Sequence, residues 1–330
     1  MTSIYITEPG TYLHRKGGKL LIDRSKKTVM EVPMEMVEDI TIMDTVQISS
    51  SLIAECFARE IPVAWISSAG YLQGTLTSYD AVDIIKQRQQ FALLEQKRFY
   101  FKIAQRVISA KVHNQLTLLR RYNRTIKSAK AAEMAEYIVE MRKNIRCSAD
   151  NYELMGYEGF MSKSYFAGLG SLVKEPFSFT SRSKRPPRNP FNAMLSFGYS
   201  MLFHEVLNGI VMTGLHPYVG FLHQPAKGHP ALASDLMEEW RAVIVDALVM
   251  SLVSRGTVKP NMFITKSDGC FFTPEGRKIF LSAYSQKLRT ENKYADTKRS
   301  FRESIQNQCK LYASAVMNKK AELYEPIKIR

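Results

Sequence analysis

The sequence predicts an α+β protein, with a small amino-terminal β-rich domain at residues 1–85 and a larger all-α domain at residues 86–330. Three observations carry that expectation. Short runs of alternating apolar and polar residues fill the first part of the chain. From Thr75 to Met155 there is neither Gly nor Pro, while apolar residues recur at steps of three and four. Charge also divides with the domains: residues 1–85 hold 7 Lys/Arg against 11 Asp/Glu, net −4, leaving 39 against 20, net +19, for the remainder.

In chain order, SIYIT, TYLHRK, KLLID after the Gly17-Gly18 turn, TVMEV after the charged turn RSKK, and EDITIM read as hairpin strands. The Ser-led SSSLIAECFARE has helical spacing, and IPVAWIS and YLQGTLTS return to strand character. The exposed edges and apolar face of such a module offer a dimerisation surface as readily as a simple folded cap. The boundary falls near Ser78 to Lys86. Beyond it, Leu94, Phe101, Ala104, Ile108, Val112, Leu116 and Leu119 mark one face of a long helix, most simply core. Asn189 before Pro190 is an N-cap followed by proline at the first helical position, opening NPFNAMLSFGYSMLFHEVLNGIVMTG, with Asn192 and Tyr199 near the expected site.

The composition excludes several classes. At 330 residues and 45% hydrophobic content the chain is an ordinary globular one, long enough for two cores. Cys56, Cys147, Cys270 and Cys309 lie far apart with no CxxC pair, as reduced cytosolic thiols do, and MTSIYITEPG is not a secretory signal. The apolar stretch Ala242 to Val253, broken by Asp246 and Ser251, is too short to span a bilayer. These features set a cytoplasmic expectation. There is no GxxxxGK[ST] loop and no GxSxG elbow, and His204-Glu205 lacks the second His of a zinc protease helix.

What remains is a scattered acid and imidazole set. Asp235 and Glu238 stand three apart in ALASDLMEEWRAVIVDALVMSLV, which reads as one helix with both carboxylates on one face. Two such groups repel unless a cation sits between them. His223 ends a turn-rich run, and the Gly/Pro-broken loop from Gln224 to Pro230 lets the chain fold back toward that helix. Glu158, opening the short helix EGFMSKSYFAGLG, would bring a further oxygen from elsewhere in the fold. Carboxylate oxygens with one imidazole suit Mg2+ or Mn2+ better than a thiolate-loving metal. The basic second domain fits a grip on nucleic acid, with Arg182, Lys184, Arg185 and Arg188 in SRSKRPPRN, and Lys298, Arg299 and Arg302 further on, as phosphate contacts.

YEGFMSKSYF, the run from Asn189 to His223, and LASDLMEEWRAVIVD, in that order, resemble the CRISPR-associated Cas1 family of endonucleases and integrases, over nearly the whole chain. The resemblance implies a metal-dependent DNA endonuclease and integrase that inserts short DNA fragments, spacers, into the CRISPR array by 3′-hydroxyl attack on a phosphodiester. It places Glu158, His223 and Glu238 on the family's catalytic, metal-binding positions, with Asp235 as supporting acid. Glu238 stands where the family often has Asp, one methylene shorter. It further implies a homodimer, double-stranded DNA as both spacer precursor and CRISPR repeat, and the small second adaptation protein Cas2 bridging two dimers. A structure-selective repair nuclease using the same site with water as nucleophile, a DNA-binding scaffold without catalysis, and a hydrolase of small phosphoesters are the competing readings. The last fits a net +19 domain poorly, because a small substrate needs only a local positive pocket.

Overall fold

The computed structural model describes residues 2–67, 70–223, 226–294 and 297–330. The chain divides into two compact units, Met1–Ala81 and Val82–Arg330, so the break falls slightly ahead of the expected 85/86.

The first unit holds β1 (Thr2–Ile6), β2 (Tyr12–Lys16), β3 (Lys19–Arg24), β4 (Lys27–Pro33), β5 (Val37–Met43), β6 (Gln47–Ile48), helix α1 (Ser50–Ala58), β7 (Val63–Ile66) and β8 (Leu72–Leu76). They form two four-stranded sheets, ordered β1-β5-β7-β8 and β4-β3-β2-β6. Only part of the set is hairpin-like. β2, β3 and β4 pair antiparallel, with Gly17 and Gly18 both at positive φ in the first turn, but β1 pairs with β5, and β5 with β7, in parallel. The intervening hairpins act as the crossover that a parallel pair needs. Ile4, Leu13, Leu20, Ile40, Ile42, Leu52 and Val63 make one buried cluster. Helix α1 starts on Ser49, whose hydroxyl accepts from the Leu52 amide at 3.2 Å.

The second unit is mostly helical. Helix α2 (Ile84–Ala92) leads to α3 (Lys97–Ile126), α4 (Ala129–Met141), α5 (Asn144–Cys147), α6 (Asn151–Gly170) and α7 (Pro190–Met212). The Gly- and Pro-free stretch is therefore not one helix. It breaks where Lys127 takes a left-handed conformation, φ 58°, and Ser128 caps the next helix through the Ala131 amide. Helix α6 starts well before Glu158, on an Asp150 cap. Helix α7 begins as expected, with the Asn189 side chain accepting from the Asn192 amide at 2.9 Å. Helix α3 runs through the middle, packed against α4 and α6.

Helix α8 (Ala231–Leu236) does not continue evenly: a turn and a π-helical segment, Arg241–Asp246, precede α9 (Ala247–Ser254). Strands β9 (Phe263–Lys266) and β10 (Gly269–Phe272) follow, then α10 (Pro274–Arg289), β11 (Glu291–Tyr294), β12 (Thr297–Ser300) and α11 (Phe301–Asn318). The two hairpins correct the all-α expectation. In the first, aromatic and β-branched residues flank a Ser267-Asp268 turn, and Gly269 opens the second strand at φ +140°. The last residues run back along α3, where the Ile329 amide donates to Asn114 Oδ1 at 2.9 Å and Arg121 donates to the Arg330 carbonyl at 2.9 Å. Among the described residues no helix is long and apolar enough to cross a membrane.

Candidate active site

Three elements build the site. Glu158 projects from the middle of α6, Glu238 from the turn after α8, and His223 from the loop before it. The loop is drawn onto α8 by Asp235. This buried carboxylate accepts from the main-chain amides of Phe221 at 2.6 Å, Leu222 at 2.9 Å and His223 at 3.1 Å, and from the His223 ring at Nδ1 at 2.5 Å. Gly220 makes the approach feasible, since a Cβ there would stand 2.5 Å from Asp235 Oδ2. The fold-back expected of residues 224–230 is thus seen at its two ends, while Gln224 and Pro225 lie outside the described residues. Asp235 fixes the ring through Nδ1 and leaves Nε2 as the nitrogen for a ligand, the arrangement by which a carboxylate orients a metal-binding imidazole. The same hydrogen bond, outweighing burial, raises the His223 pKa.

The cation that reconciles paired carboxylates is not between Asp235 and Glu238. Asp235 is consumed by the loop, and the shared cation is Lys111 of α3. Its ammonium bonds Glu158 Oε1 and lies 2.5 Å from Glu238 Oε2. Ser162 also donates to Glu158 Oε1, at 2.6 Å, and Arg241 pairs with Glu238 Oε1 at 3.0 Å. Burial disfavours every charge here, but the pairing wins. Glu238 is pulled down to about 2 by Arg241 and then Lys111, Glu158 is lowered chiefly by Lys111, and the two carboxylates raise Lys111. Arg241 also stacks over the Tyr199 ring, 4.7 Å from its centre, and Arg182 lies 5.4 Å from the same centre. The Tyr199 hydroxyl donates to the buried Asp246 at 2.5 Å, and Tyr165 donates to the same carboxylate at 2.8 Å.

The residues fit a divalent ion in chemistry. Glu238 Oε2 is buried with no aligned hydrogen bond, and the carboxylate pair already gathers around a cation. They do not form a finished chelate. Among the described residues no three His, Cys, Asp or Glu side chains converge closely enough to hold a metal as placed. Glu158 and Glu238 meet through Lys111, and His223 joins them through charge, since its field and that of Glu238 act on each other.

Of the basic residues, Lys184, Arg185 and Arg188 are exposed on the loop before α7. Partial burial and the fields of Arg241 and Lys111 lower the Lys184 pKa, which puts it within reach of the site. Arg182 is partly buried and braces that loop, donating to Asn192 Oδ1 at 2.8 Å and Ser196 Oγ at 2.9 Å. Lys298 is exposed and paired with Glu291, and Arg299 is partly exposed beside it. Arg302 departs from expectation: it is buried and pairs with Glu205 at 2.6 and 2.8 Å, so its guanidinium ties α11 to α7 and does not face solvent. Sequence reasoning missed Lys111 and Arg241. The signal for Lys111 was a lone charge on the buried stripe of α3, between Val107 and Gln115.

The second unit gathers the partly buried Glu158, the buried Glu238 and the Asp235-held His223 among the cations Lys111, Arg182, Lys184 and Arg241, residue types suited to handling phosphate. The family description CRISPR associated protein Cas1 matches residues 4–286, and the chain belongs to that family. A curated relative from Mycobacterium tuberculosis, named CRISPR-associated endonuclease Cas1, is 31% identical over 293 residues, covering 87% of this chain and 85% of its own. The structure of a CAS1 protein from Thermotoga maritima is similar with a TM-score of 0.82 at 25% identity, covering 96% of this chain and 97% of that one. A casposase bound to its integration product shares the fold, with a TM-score of 0.84 at 23% identity over 97% of this chain and 92% of that one.

Proposed function

We propose that the protein is a metal-dependent DNA integrase and endonuclease that joins short DNA fragments to a CRISPR array by attack of a 3′-hydroxyl on a phosphodiester. The observation that carries this reading is the convergence of Glu158 and the buried Glu238 on one buried cation, with the Asp235-oriented His223 beside them. Family membership and the names of its relatives support it.

Glu158, Glu238 and His223 Nε2 would hold Mg2+ or Mn2+. Such an ion, when bound, would supply Lewis-acid polarisation of a phosphate oxygen. The chain's own residues do the rest. Asp235 keeps the imidazole in the tautomer that presents Nε2. Arg241, held on Tyr199, and Lys184 place positive charge beside the entering phosphate. The exposed Arg185, Arg188 and Lys298 and the partly exposed Arg299 would grip the backbone of the duplex further out, in a domain of net +19. Integration and hydrolysis differ only in whether a DNA hydroxyl or water attacks.

For a homodimer, the support is edge strand β4, which leaves Val29 and Met30 exposed at 54% and 52%. The resemblance adds Cas2 as the bridge between two such dimers. The test is strand transfer of a short duplex with free 3′-hydroxyls into a supercoiled plasmid carrying a repeat, with and without Cas2, in Mg2+, Mn2+ or chelator. Joined product that needs metal and disappears in Glu158→Ala is expected. DNA binding with neither joining nor cleavage under any condition would overturn the proposal in favour of a scaffold.

A further inference from the structure

We propose that Lys111 is a built-in counter-cation that competes with the divalent ion for Glu158 and Glu238, so that metal loads weakly on the free protein and more tightly once DNA phosphates are in place. The inference rests on the metal reading of the site given above and concerns how that site is regulated.

Two observations carry it. Lys111, only 7% exposed, reaches both carboxylates with one ammonium and so stands where a bridging cation would stand. The two carboxylates are also already balanced by the cations that touch them: Glu158 and Glu238 face Lys111 and Arg241, one positive charge for each negative one, and Asp235 is committed to His223 and three amides. A divalent ion added to that arrangement leaves an excess of two positive charges in a buried place, which is unfavourable without compensation. Compensation has two sources. The Lys111 ammonium can leave the carboxylates, because it is a compact charge on a flexible four-carbon stem, whereas Arg241 is held by both Glu238 and the Tyr199 ring. Substrate phosphates can also bring negative charge to Lys111 and the ion together. Metal and DNA then strengthen each other's binding, and by linkage the factor is the same in both directions.

The experiment is an Mn2+ titration followed by the paramagnetic resonance signal of the free ion. Wild type and Lys111→Met are compared, each alone and saturated with a short duplex whose 3′ ends lack hydroxyls. In wild type the duplex is expected to tighten Mn2+ binding about tenfold, within the usual range of coupling between sites. Lys111→Met alone should bind Mn2+ about tenfold more tightly than wild type alone, and the duplex should then add little. Equal Mn2+ affinity in the two free proteins, with equal enhancement by DNA, would overturn the inference while leaving the metal reading intact. Mn2+ binding that is absent in wild type even with DNA, or indifferent to Glu158→Gln and Glu238→Gln, would sink the metal reading and this inference with it. Should Lys111→Met fail to fold, acetic anhydride footprinting of wild type decides: Lys111 acetylation should rise several-fold when Mn2+ and DNA are added, and an unchanged yield counts against the competition.

Discussion

Glu238 and Glu239 are neighbours in the chain and opposites in the fold. Glu238 faces Lys111, Arg241 and His223, and its pKa falls to about 2. Glu239 is buried on the other side, with no cation against it among the described residues. It accepts from the Tyr324 hydroxyl, from Gln308 at 3.0 Å and from the Ile327 amide at 2.6 Å, and burial pushes it up to about 8. The difference shows what decides a buried acid's role. Surrounded by positive charge, a carboxylate stays ionised and can bind a cation. Surrounded by neutral donors, it becomes a hydrogen-bond hub, here joining the turn after α8 to α11 and the returning C-terminal segment.

Substitutions can break or sharpen that contrast. Glu238→Gln should lower metal-dependent joining at least ~100-fold, beyond the usual cost of losing a supporting group. Its melting temperature should fall as well, because Lys111 and Arg241 lose a buried partner, so joining is compared on folded protein; joining that persists at the wild-type level would erase the distinction between the two acids. Asp235→Asn should cost about 10- to 100-fold in joining or in Mn2+ affinity, through misorientation of His223. Unaltered Mn2+ binding in that variant would detach Asp235 from the site. Glu239→Ala should leave the folded protein active but cost about 2–4 kcal/mol in denaturant unfolding, because three donors lose their acceptor. Tyr324→Phe removes one of those bonds and should cost about 1 kcal/mol in the same measurement.

The most gradual effect is a pH slope at Asp246. Burial raises this carboxyl from 3.8 to about 6, so the folded state holds its proton more tightly than the unfolded state. Its contribution to stability is greatest below about pH 4 and is lost as pH rises through 6, at no more than about 1.4 kcal/mol per pH unit. Asp246→Asn should flatten stability against pH across that window. An identical slope in the variant would mean that the Tyr165 and Tyr199 hydroxyls stabilise the anion as much as burial opposes it.

The sequence made much of this legible, for physical reasons that differ by residue. Strand alternation and the Asn189-Pro190 start depend on neighbours in the chain, and both appear in the fold. Glu158, His223 and Glu238 were visible through their motif wording, which spacing alone would not have supplied. Lys111 was hidden because its partners are 47 residues away on α6 and beyond α8, and a lysine within a helical stretch is usually a solvated one. Arg302 misled for the converse reason: a basic residue in a basic region looked exposed, whereas Glu205 on α7 holds it inside. The helix break at Lys127 carries neither Gly nor Pro, so only the Ser128 cap marked it.

The π-helical segment at Arg241–Asp246 lets Arg241 face the site while Asp246 meets two tyrosines behind it. Each residue of an α-helix turns the chain by about 100°, so one residue deleted from this widened turn would rotate everything after it by roughly that angle. Helix α9 would then present its polar edge to the core. This stretch should therefore accept exchanges of side chain far more readily than any change of length, and natural variation through it should be read in substitutions, with gaps confined to the loops before α8 and after α9.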